Sequence, residues 1–367
     1  MKNDLEPFGC KVVVFSGDHR QILPVLKDAT RAETLEACFK SSPLWNHLKK
    51  VRLTARTDST RPSKCPELAE FSEFLLQIGE GRYPERGHYR WDDEEHKESE
   101  DIEAPPNFNL LPATELPLEE GDTNPDDDRR ERNVNALIDA VYPGVGDDNL
   151  QDEYFVVRAI LAPTNASVRR INEMVAKRLT GETKEYLSPR RGCRPNMFKQ
   201  EFLNSLNFSG IPPHRIVLKV GTPIIMIRNL NSDAGLCNGT RLRVVSLRGR
   251  SIEATIMSGP FKGKTVFIPR IIFYSEVDDK AFSFKLRLKQ FPVVPAFAMT
   301  VNKAQGPSIH HVGIYLESPV FAHGQLYVAL SRVTSRKAIK IAVDPSAIDE
   351  NGNIHTKNIV YREIFDL

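Results

Sequence analysis

Residues 296–306 read AFAMTVNKAQG, an apolar segment that breaks into a polar turn containing threonine, asparagine, lysine and glutamine. The apolar run VGIYL follows at 312–316, the helix-prone stretch HGQLYVALSR at 323–332, and the apolar run AIKIAV at 338–343. Short apolar strands that alternate with a helix are typical of an α/β fold with a parallel sheet. The carboxyl-terminal part of the chain is therefore predicted to be α/β.

The stretch 323–332 predicts an amphipathic helix. Leu326, Leu330 and Val333 share one helical face, at spacings of four and seven, and that face is expected to meet the core. Arg332 lies off that face, at an edge from which a guanidinium could reach a phosphate held by a neighbouring domain. A solvated helix arginine is the alternative. The polar turn before it offers hydroxyl, amide and ammonium donors to a phosphate backbone, or is a plain strand-to-helix turn.

Residues 216–290 have a different sequence pattern, which predicts short strands separated by Gly, Asn and Pro. The candidate strands are IVLKV, PIIMIRNL, TRLRVVSL, SIEATIM, TVFIPRI and FKLRLKQF, and their even spacing predicts a small barrel. Residues 201–310 contain 15 Lys or Arg against 6 Asp or Glu, which suits a groove that follows a nucleic-acid backbone. Four aromatic side chains there could stack on bases or pack in the core: Phe273, Tyr274, Phe282 and Phe284.

The amino-terminal part begins with KVVVF at 11–15, which predicts a strand buried on both faces. The turn after it contains Asp18, Arg20 and Gln21, at the end of a strand where α/β folds bind ligands. A glutamine amide can donate to a phosphate oxygen and accept from a water, although a capped turn has the same appearance. Further predicted elements are helices at 31–40, 67–78 and 167–179 and a strand from Tyr154.

Several classes of protein and site are not supported. The chain has 367 residues, a formal charge of +2 and five cysteines without a Cys-x-x-Cys pair, which argues against a zinc site or a disulfide framework. No amino-terminal signal peptide or membrane span is predicted. GPFKGKT at 259–265 resembles a phosphate-binding loop but has three residues between its glycines, so it predicts a hairpin turn. The acidic stretch 92–128 is predicted to be a solvated insertion.

Three segments follow one another along the chain: GDHRQILPV at 17–25, MTVNKAQG at 299–306 and GQLYVALSR at 324–332. In this order they resemble helicase motifs III, V and VI of the Pif (petite integration frequency) family, with a particular likeness to Helitron-type transposon helicases. The resemblance implies an α/β fold in which part of a first RecA-like domain precedes a second RecA-like domain with an inserted small SH3-like β-barrel. It also implies that the P-loop and Walker B motifs are lacking from this chain, which is then expected not to hydrolyse ATP alone.

The resemblance assigns roles to individual residues. Gln21 would sense the γ-phosphate, Arg332 would be the arginine finger, and Asp18 and Gly306 would also belong to the nucleotide site. Residues near single-stranded DNA or the coupling path would be Thr300, Asn302, Lys303 and Gln305. ATP and Mg²⁺ would be the cofactors, held with the help of the missing motifs, and no metal ligands are assigned within this chain.

The implied function is ATP-dependent unwinding of DNA in the 5′ to 3′ direction, by a monomer that binds single-stranded DNA and forks in the nucleus or mitochondrion. Repair, recombination, telomere maintenance or Helitron transposition would be its setting. One alternative is an inactive transposon-derived remnant that only binds single-stranded DNA. A helicase-nuclease subunit of the RecD type fits less well, because it would not explain GLCNGT at 235–240.

The sequence also departs from the family pattern. His19 stands where an aromatic residue is usual and Ser16 where a glycine is usual, and Asp58 occupies the arginine position of motif IV, with Arg56 and Arg61 out of register. The predicted organisation is a first RecA-like remnant, an acidic linker, the first part of the second RecA-like domain, the SH3-like module, and the part with motifs V and VI. Their ranges are 1–90, 91–150, 151–215, 216–290 and 291–367.

Overall fold

The computed structural model describes residues 8, 11–26, 29–51, 66–83, 100–103, 125–147, 149–188, 190–192, 210–275, 286–306, 309–344, 347 and 355–366. Its helices are α1 (Arg31–Glu36), α2 (Pro66–Gly79), α3 (Pro125–Val141), α4 (Asp152–Val156), α5 (Asn165–Arg178), α6 (Gln325–Leu330) and α7 (Glu363–Asp366). The first eight strands are β1 (Glu100–Glu103), β2 (Arg158–Ala162), β3 (Thr183–Leu187), β4 (Arg190–Gly192), β5 (Arg215–Lys219), β6 (Pro223–Met226), β7 (Arg241–Leu247) and β8 (Ser251–Ile256). The other eight are β9 (Thr265–Pro269), β10 (Ile271–Tyr274), β11 (Leu286–Gln290), β12 (Val293–Pro295), β13 (Ala298–Thr300), β14 (His311–Leu316), β15 (Ile339–Val343) and β16 (His355–Asn358).

The chain divides into two compact units. Unit 1 contains residues 1–133, 161–164 and 300–367, and unit 2 contains residues 134–160 and 165–299. Across the ranges given above, no helix combines the length and apolar character that crossing a membrane requires.

Unit 2 contains a five-stranded antiparallel sheet with the order β12-β6-β7-β8-β9. Alternate side chains of its strands enter one apolar core, which includes Ile224, Leu242, Val244, Ile252, Ile256, Ile268, Phe291 and Val293. This confirms the strands predicted for the region, and the SH3-like likeness stays a prediction. Gly259 and Gly263, both at φ 83°, lie in the turn that joins β8 to β9, so the hairpin prediction for 259–265 is confirmed.

Unit 2 also contains α5, the amphipathic helix predicted at 167–179. It buries Ile171, Met174 and Val175, as the apolar spacing predicted, and it also buries the polar Asn172. The Asn172 amide accepts from the backbone N–H groups of Phe297 and Ala298, both at 3.0 Å, and donates to the Ala298 carbonyl at 3.1 Å. These bonds hold the start of the strand that leads into the polar turn at 300–306.

Unit 1 contains the parallel pair of β14 and β15, whose register runs from Val312–Ile339 to Leu316–Val343. Both strands lie wholly within unit 1. The helix α6 lies between β14 and β15 in the chain, as expected for an α/β unit. It buries Leu326 and Leu330, and Val333 beyond its end is buried too, which confirms the predicted core face.

Three local predictions are wrong. Residues 11–15 form no strand and are exposed, because among the described residues no neighbouring strand supplies their hydrogen-bond partners. The helix predicted at 31–40 ends at Glu36, and a 3₁₀ turn at Phe39–Ser41 follows. Tyr154 lies in the helix α4 rather than a strand, and β2 begins only at Arg158.

Two further predictions lie wholly or largely outside the described residues. The motif IV region with Arg56, Asp58 and Arg61 is one of them. The other is the acidic stretch 92–128, in which the structure describes only β1, paired antiparallel with β16, and the start of α3.

Candidate functional site

The turn that follows residues 11–15 is held by ionic and hydrogen bonds. The Asp18 carboxylate accepts from the backbone N–H of Arg20 at 3.1 Å and from its Nη1 at 3.2 Å. The Arg20 guanidinium also donates from Nε to Glu80, at the end of α2, at 2.9 Å. Burial alone would raise the pKa of Glu80, but the bonds from Arg20 and Arg82 outweigh it and lower that pKa. Arg20 is therefore a cross-link that fixes the turn, and Glu80 is a partner that no local sequence signal indicates.

Tyr327 on α6 holds the same turn from the other side. Its hydroxyl donates to Asp18 Oδ2 at 3.0 Å, and burial raises the pKa of Tyr327 to about 12, so the phenol stays a neutral donor. Gly324 immediately precedes the helix at φ 72°, and a Cβ there would collide with the carbonyl oxygen of Arg20. Only glycine satisfies both the left-handed backbone and this close approach.

His323 joins three segments of unit 1. Its Nδ1 accepts from the backbone N–H of Tyr361 at 2.8 Å, so Nε2 carries the proton and donates to the carbonyl of His19 at 2.8 Å. The side chain is 2 % exposed, and burial lowers the pKa of His323 below its usual 6.5. A buried neutral imidazole with both nitrogens bonded is a structural histidine.

Gln21 contacts the polar turn at 300–306 directly. Gln305 Nε2 donates to Gln21 Oε1 at 2.9 Å, although the two residues are 284 positions apart. The Gln21 amide nitrogen has no hydrogen-bond partner in the part of the chain that the structure describes. The predicted phosphate sensor and one of the predicted DNA-contacting residues are thus brought together.

Within the polar turn, Asn302 is positioned by the buried Gln325. Gln325 Nε2 donates to Asn302 Oδ1 at 2.9 Å, and its Oε1 accepts from the backbone N–H of Phe321 at 2.9 Å. This role of Gln325 was missed in the sequence, although the residue stands inside the quoted stretch 323–332. The bond fixes the orientation of the Asn302 side chain. Its amide nitrogen has no hydrogen-bond partner among the described residues.

Thr300 and Lys303 are the other side chains of the turn that contain hydrogen-bond donors. Thr300 is mostly buried, and its hydroxyl makes no capping bond to the turn that follows. Lys303 is exposed, yet nearby protein atoms desolvate its ammonium and lower the pKa of Lys303 below 10.5. Over the described ranges neither side chain has a hydrogen-bond or ionic partner. Thr300, Asn302 and Lys303 therefore present three polar donors to a ligand.

Arg332 is buried rather than solvated, with 6 % of its surface exposed. Its Nε donates to the Val328 carbonyl at 2.9 Å, and its Nη1 donates to the carbonyls of Gly306 at 2.9 Å and Ala304 at 3.3 Å. Nη2 donates to the Ser331 hydroxyl at 2.9 Å and retains a second N–H. Burial lowers the pKa of Arg332. The guanidinium thus clamps the polar turn to α6.

The acidic, histidine and cysteine side chains of the described residues are dispersed. No cluster of three or more His, Cys, Asp and Glu side chains among them has the arrangement that a metal needs. Both oxygens of Asp18 already accept bonds, from Arg20 and Tyr327. The side-chain groups of the site that have no partner among the described residues are therefore hydrogen-bond donors, which suit phosphate oxygens.

Family models match three parts of the chain. The model described as PIF1-like helicase matches residues 1–88, and the model described as DNA helicase Pif1, 2B domain, matches residues 201–247. A model described as Helicase, of the herpes type, matches residues 272–362. Together these matches include all three segments on which the site is built.

Curated relatives are similar to parts of the chain. ATP-dependent DNA helicase PIF6 of Trypanosoma brucei brucei is 33% identical over 136 residues, which is 36% of this chain and 17% of the relative. ATP-dependent DNA helicase Pif1 of Campylobacter jejuni is 27% identical over 199 residues, 53% of this chain and 43% of the relative. The chain thus spans less than half the length of these relatives.

Solved structures support the RecA-like α/β fold. Bacteroides Pif1 bound to single-stranded DNA has a TM-score of 0.55 at 19% identity, over 99% of this chain and 67% of that one. Bacteroides Pif1 in complex with ADP-AlF3 and single-stranded DNA has a TM-score of 0.55 at 20% identity, over 95% and 64%. The solved structures show the fold alone, and the matching family models together with the curated relatives support a helicase of the Pif family.

Proposed function

We propose that this chain contributes the phosphate-sensing and DNA-contacting part of an ATP-dependent DNA helicase that moves 5′ to 3′. The observation that carries the proposal is the hydrogen bond from Gln305 Nε2 to Gln21 Oε1 at 2.9 Å. It joins the turn proposed to contact single-stranded DNA to the glutamine proposed to sense the γ-phosphate. A shift of either turn is therefore passed to the other through one direct contact.

For the nucleotide, Gln21 and Arg332 carry the proposal. The Gln21 amide nitrogen and the second N–H of Arg332 Nη2 are donors of the kind that bind phosphate oxygens. Bound ATP would supply the phosphoryl group, and a guanidinium aimed at it stabilises charge that develops in the transition state. Asp18 is proposed to act indirectly, because its bonds to Arg20 and Tyr327 hold the turn that presents Gln21. Gly306 contributes its carbonyl, which positions Arg332.

For DNA, the donors of Thr300, Asn302 and Lys303 carry the proposal. The two Bacteroides Pif1 structures compared above contain single-stranded DNA, and we extend that ligand class to this chain. A desolvated, unpaired ammonium gains from an anionic partner more than a solvated one does. Phosphate contacts of this type give affinity without sequence preference.

The wider setting is part of the same proposal. It comprises fork DNA, a monomeric helicase, a nuclear or mitochondrial location, and work in repair, recombination, telomere maintenance or Helitron transposition. The competing proposal, an inactive remnant that only binds single-stranded DNA, differs in one measurable way. Joined to the phosphate-binding loop and Walker B segment of a PIF1-like helicase, the chain should support DNA-stimulated ATP hydrolysis under the first proposal and not under the second.

The DNA contact is tested with Lys303→Ala and a matched control. Binding of a fluorescent oligo(dT) is followed by anisotropy at several salt concentrations. Loss of Lys303 should weaken binding and reduce the slope of log K against log salt by roughly 0.7, the value for one phosphate contact on a single strand. Lys337→Ala is the control, because its ammonium is paired with Glu67 at 2.8 Å. Equal effects of the two substitutions would contradict the assignment of Lys303.

A further inference from the structure

A second surface, in unit 2, has the features of a nucleic-acid contact. Along β10 and β11 the side chains alternate, so that Phe273 and Leu288 are buried while their neighbours face solvent. The exposed set consists of Ile272, Tyr274, Arg287 and Lys289, and we call it the Tyr274 face. Tyr274 is 57% exposed, so much of its ring is open to a ligand.

The register of the strands places cations beside the apolar side chains. Tyr274 lies opposite Arg287, and Ile272 lies opposite Lys289. Directly opposite residues in an antiparallel pair have Cβ atoms about 4.5–5.5 Å apart. On the other side of β11, the register position opposite Arg287 is occupied by Arg191 of β4. In the sequence, cations also recur at alternate positions 285, 287 and 289.

These charges are not neutralised by the protein residues that the structure describes. Within those ranges neither Arg287 nor Lys289 has an ionic or hydrogen-bond partner for its side chain. An exposed aromatic ring next to unpaired cations provides a stacking surface for a base and counter-charges for the flanking phosphates. Duplex DNA offers its phosphates but not the faces of its bases, so the combination favours a single strand.

Unit 2 offers a direct comparison in Phe267 on β9. This ring is 52% exposed and lies 5.1 Å from the Arg248 guanidinium, so it resembles Tyr274 in exposure and in having a cation nearby. Arg248, however, pairs with Glu253 at 2.6 Å, and Glu253 is the register partner of Phe267. A carboxylate beside the ring repels phosphates. The two sites therefore differ in net charge rather than in aromatic exposure.

From this difference we infer that the Tyr274 face binds single-stranded DNA, with Tyr274 stacking on a base and Arg287 and Lys289 contacting phosphates. The inference rests on the proposed function, because it adds a second DNA contact to the one at Lys303. Of the four aromatic residues named in the sequence, it selects Tyr274. Phe273 is buried in the core, and Phe282 and Phe284 lie outside the described residues.

The test is oligo(dT) binding by the full 367-residue chain, measured by anisotropy in a salt series. Tyr274→Ala should weaken binding by roughly 5- to 100-fold, the usual effect of removing one base-stacking ring. Tyr274→Phe keeps the ring and should bind like the unmodified chain. Replacing Arg287 and Lys289 together by alanine should reduce the salt slope by roughly 0.7 for each cation. Phe267→Ala should leave binding unchanged.

The outcomes separate this inference from the proposed function. If Tyr274→Ala binds like the unmodified chain while Lys303→Ala binds weakly, the Tyr274 face is not a DNA contact and the proposed function stands. If Phe267→Ala and Tyr274→Ala weaken binding equally, the loss is not specific to Tyr274 and the proposed stacking contact is overturned. If the unmodified chain fails to bind oligo(dT) at low salt, both are overturned. Circular dichroism melts of each variant establish that these surface substitutions leave the fold intact.

Discussion

The internal contacts of the two units differ widely in sequence separation. In the five-stranded sheet of unit 2, β6, β7 and β8 each pair with the next strand along the chain. In the site of unit 1, the bonds from Tyr327 to Asp18 and from His323 to His19 join residues 309 and 304 positions apart. Local pairing needs little loop closure, whereas the site forms only when distant segments meet. The difference predicts that substitution of Arg332 in the site of unit 1 will mainly affect function, whereas substitution in the buried core of the unit 2 sheet will affect stability alone.

The largest expected effect is that of Arg332→Ala, measured in a fusion that supplies the phosphate-binding loop and Walker B acid of a PIF1-like helicase. If Arg332 acts on the transferring phosphoryl group, DNA-stimulated ATPase should fall by about 10³–10⁵. Arg332→Lys should fail almost as badly, because an ammonium cannot reproduce the bonds of a planar guanidinium. Single-stranded DNA affinity should persist.

The structure decides which arginine is a suitable control for that experiment. Arg336, the nearest arginine in sequence, lies over the rings of Phe71 and Phe74 at 5.9 and 5.4 Å, so its loss would disturb packing. The exposed Arg129 of α3 is the better choice. An Arg332→Ala fusion that keeps ATPase within about tenfold of the unmodified one, or about 1.4 kcal/mol, would refute the arginine-finger role. If the Arg332→Ala fusion unfolds instead, Arg332 has a structural role, which is to bind the carbonyls of the polar turn.

A smaller effect, on stability alone, is expected from Leu242→Ala in the sheet of unit 2. Leu242 is fully buried, and truncating a buried leucine costs about 2–5 kcal/mol of unfolding free energy. Val245 lies on the same strand but is 45% exposed, so Val245→Ala should cost less than about 0.5 kcal/mol. Urea unfolding followed by circular dichroism measures both. Similar losses for the two variants would show that the strand does not alternate between core and solvent.

The smallest effect concerns pH and His323. Burial lowers the pKa of His323 in the folded chain, so between that value and 6.5 the unfolded chain binds a proton that the folded chain does not. Stability should therefore fall as pH drops below about 6.5, by at most roughly 1.4 kcal/mol per pH unit. Thermal melts from pH 7.5 to 5.5 should show a steeper loss for the unmodified chain than for His323→Gln.

Two other histidines bear on the pH experiment, His19 as a second source of pH dependence and His47 as a control. Burial also lowers the pKa of His19, whose backbone carbonyl accepts the bond from His323, so part of the pH dependence should survive in His323→Gln. His47 is exposed, and His47→Gln should melt like the unmodified chain at every pH. If His323→Gln also shows the unmodified pH dependence, the imidazole is not the neutral bridge that its two bonds indicate.

Much of unit 2 and three of the helices could be predicted from local pattern. Alternating apolar residues indicated the strands between 216 and 290, and apolar residues at helical spacing indicated α2, α5 and the buried face of α6. The glycine spacing at 259–265 was enough to distinguish a hairpin turn from a phosphate-binding loop. Side-chain period and backbone sterics act within a few residues, so a short window contains the necessary information.

The composition of the site was visible in the sequence, but its connections were not. Gln21, Gln305 and Arg332 could be singled out as polar residues in turns and at a helix end. That Gln305 bonds Gln21, and that Arg332 is buried against carbonyls of the polar turn, depends on segments that meet only in the fold. Glu80 and Tyr327 acquire their roles in the same way.

In the segment 11–15, a clear local pattern predicted a strand that the structure does not contain. Its β-branched run has the local preference of a buried strand, yet the residues are exposed and unpaired with any described strand. Strand preference reports how well side chains fit a pleated, half-buried surface, and that surface has to be supplied by neighbours. The sequence by itself therefore determined periodicity, turns and the list of reactive side chains. The tertiary structure alone decided which donors are occupied and which remain for a ligand, because a hydrogen bond or a sheet requires a partner that the local sequence does not contain.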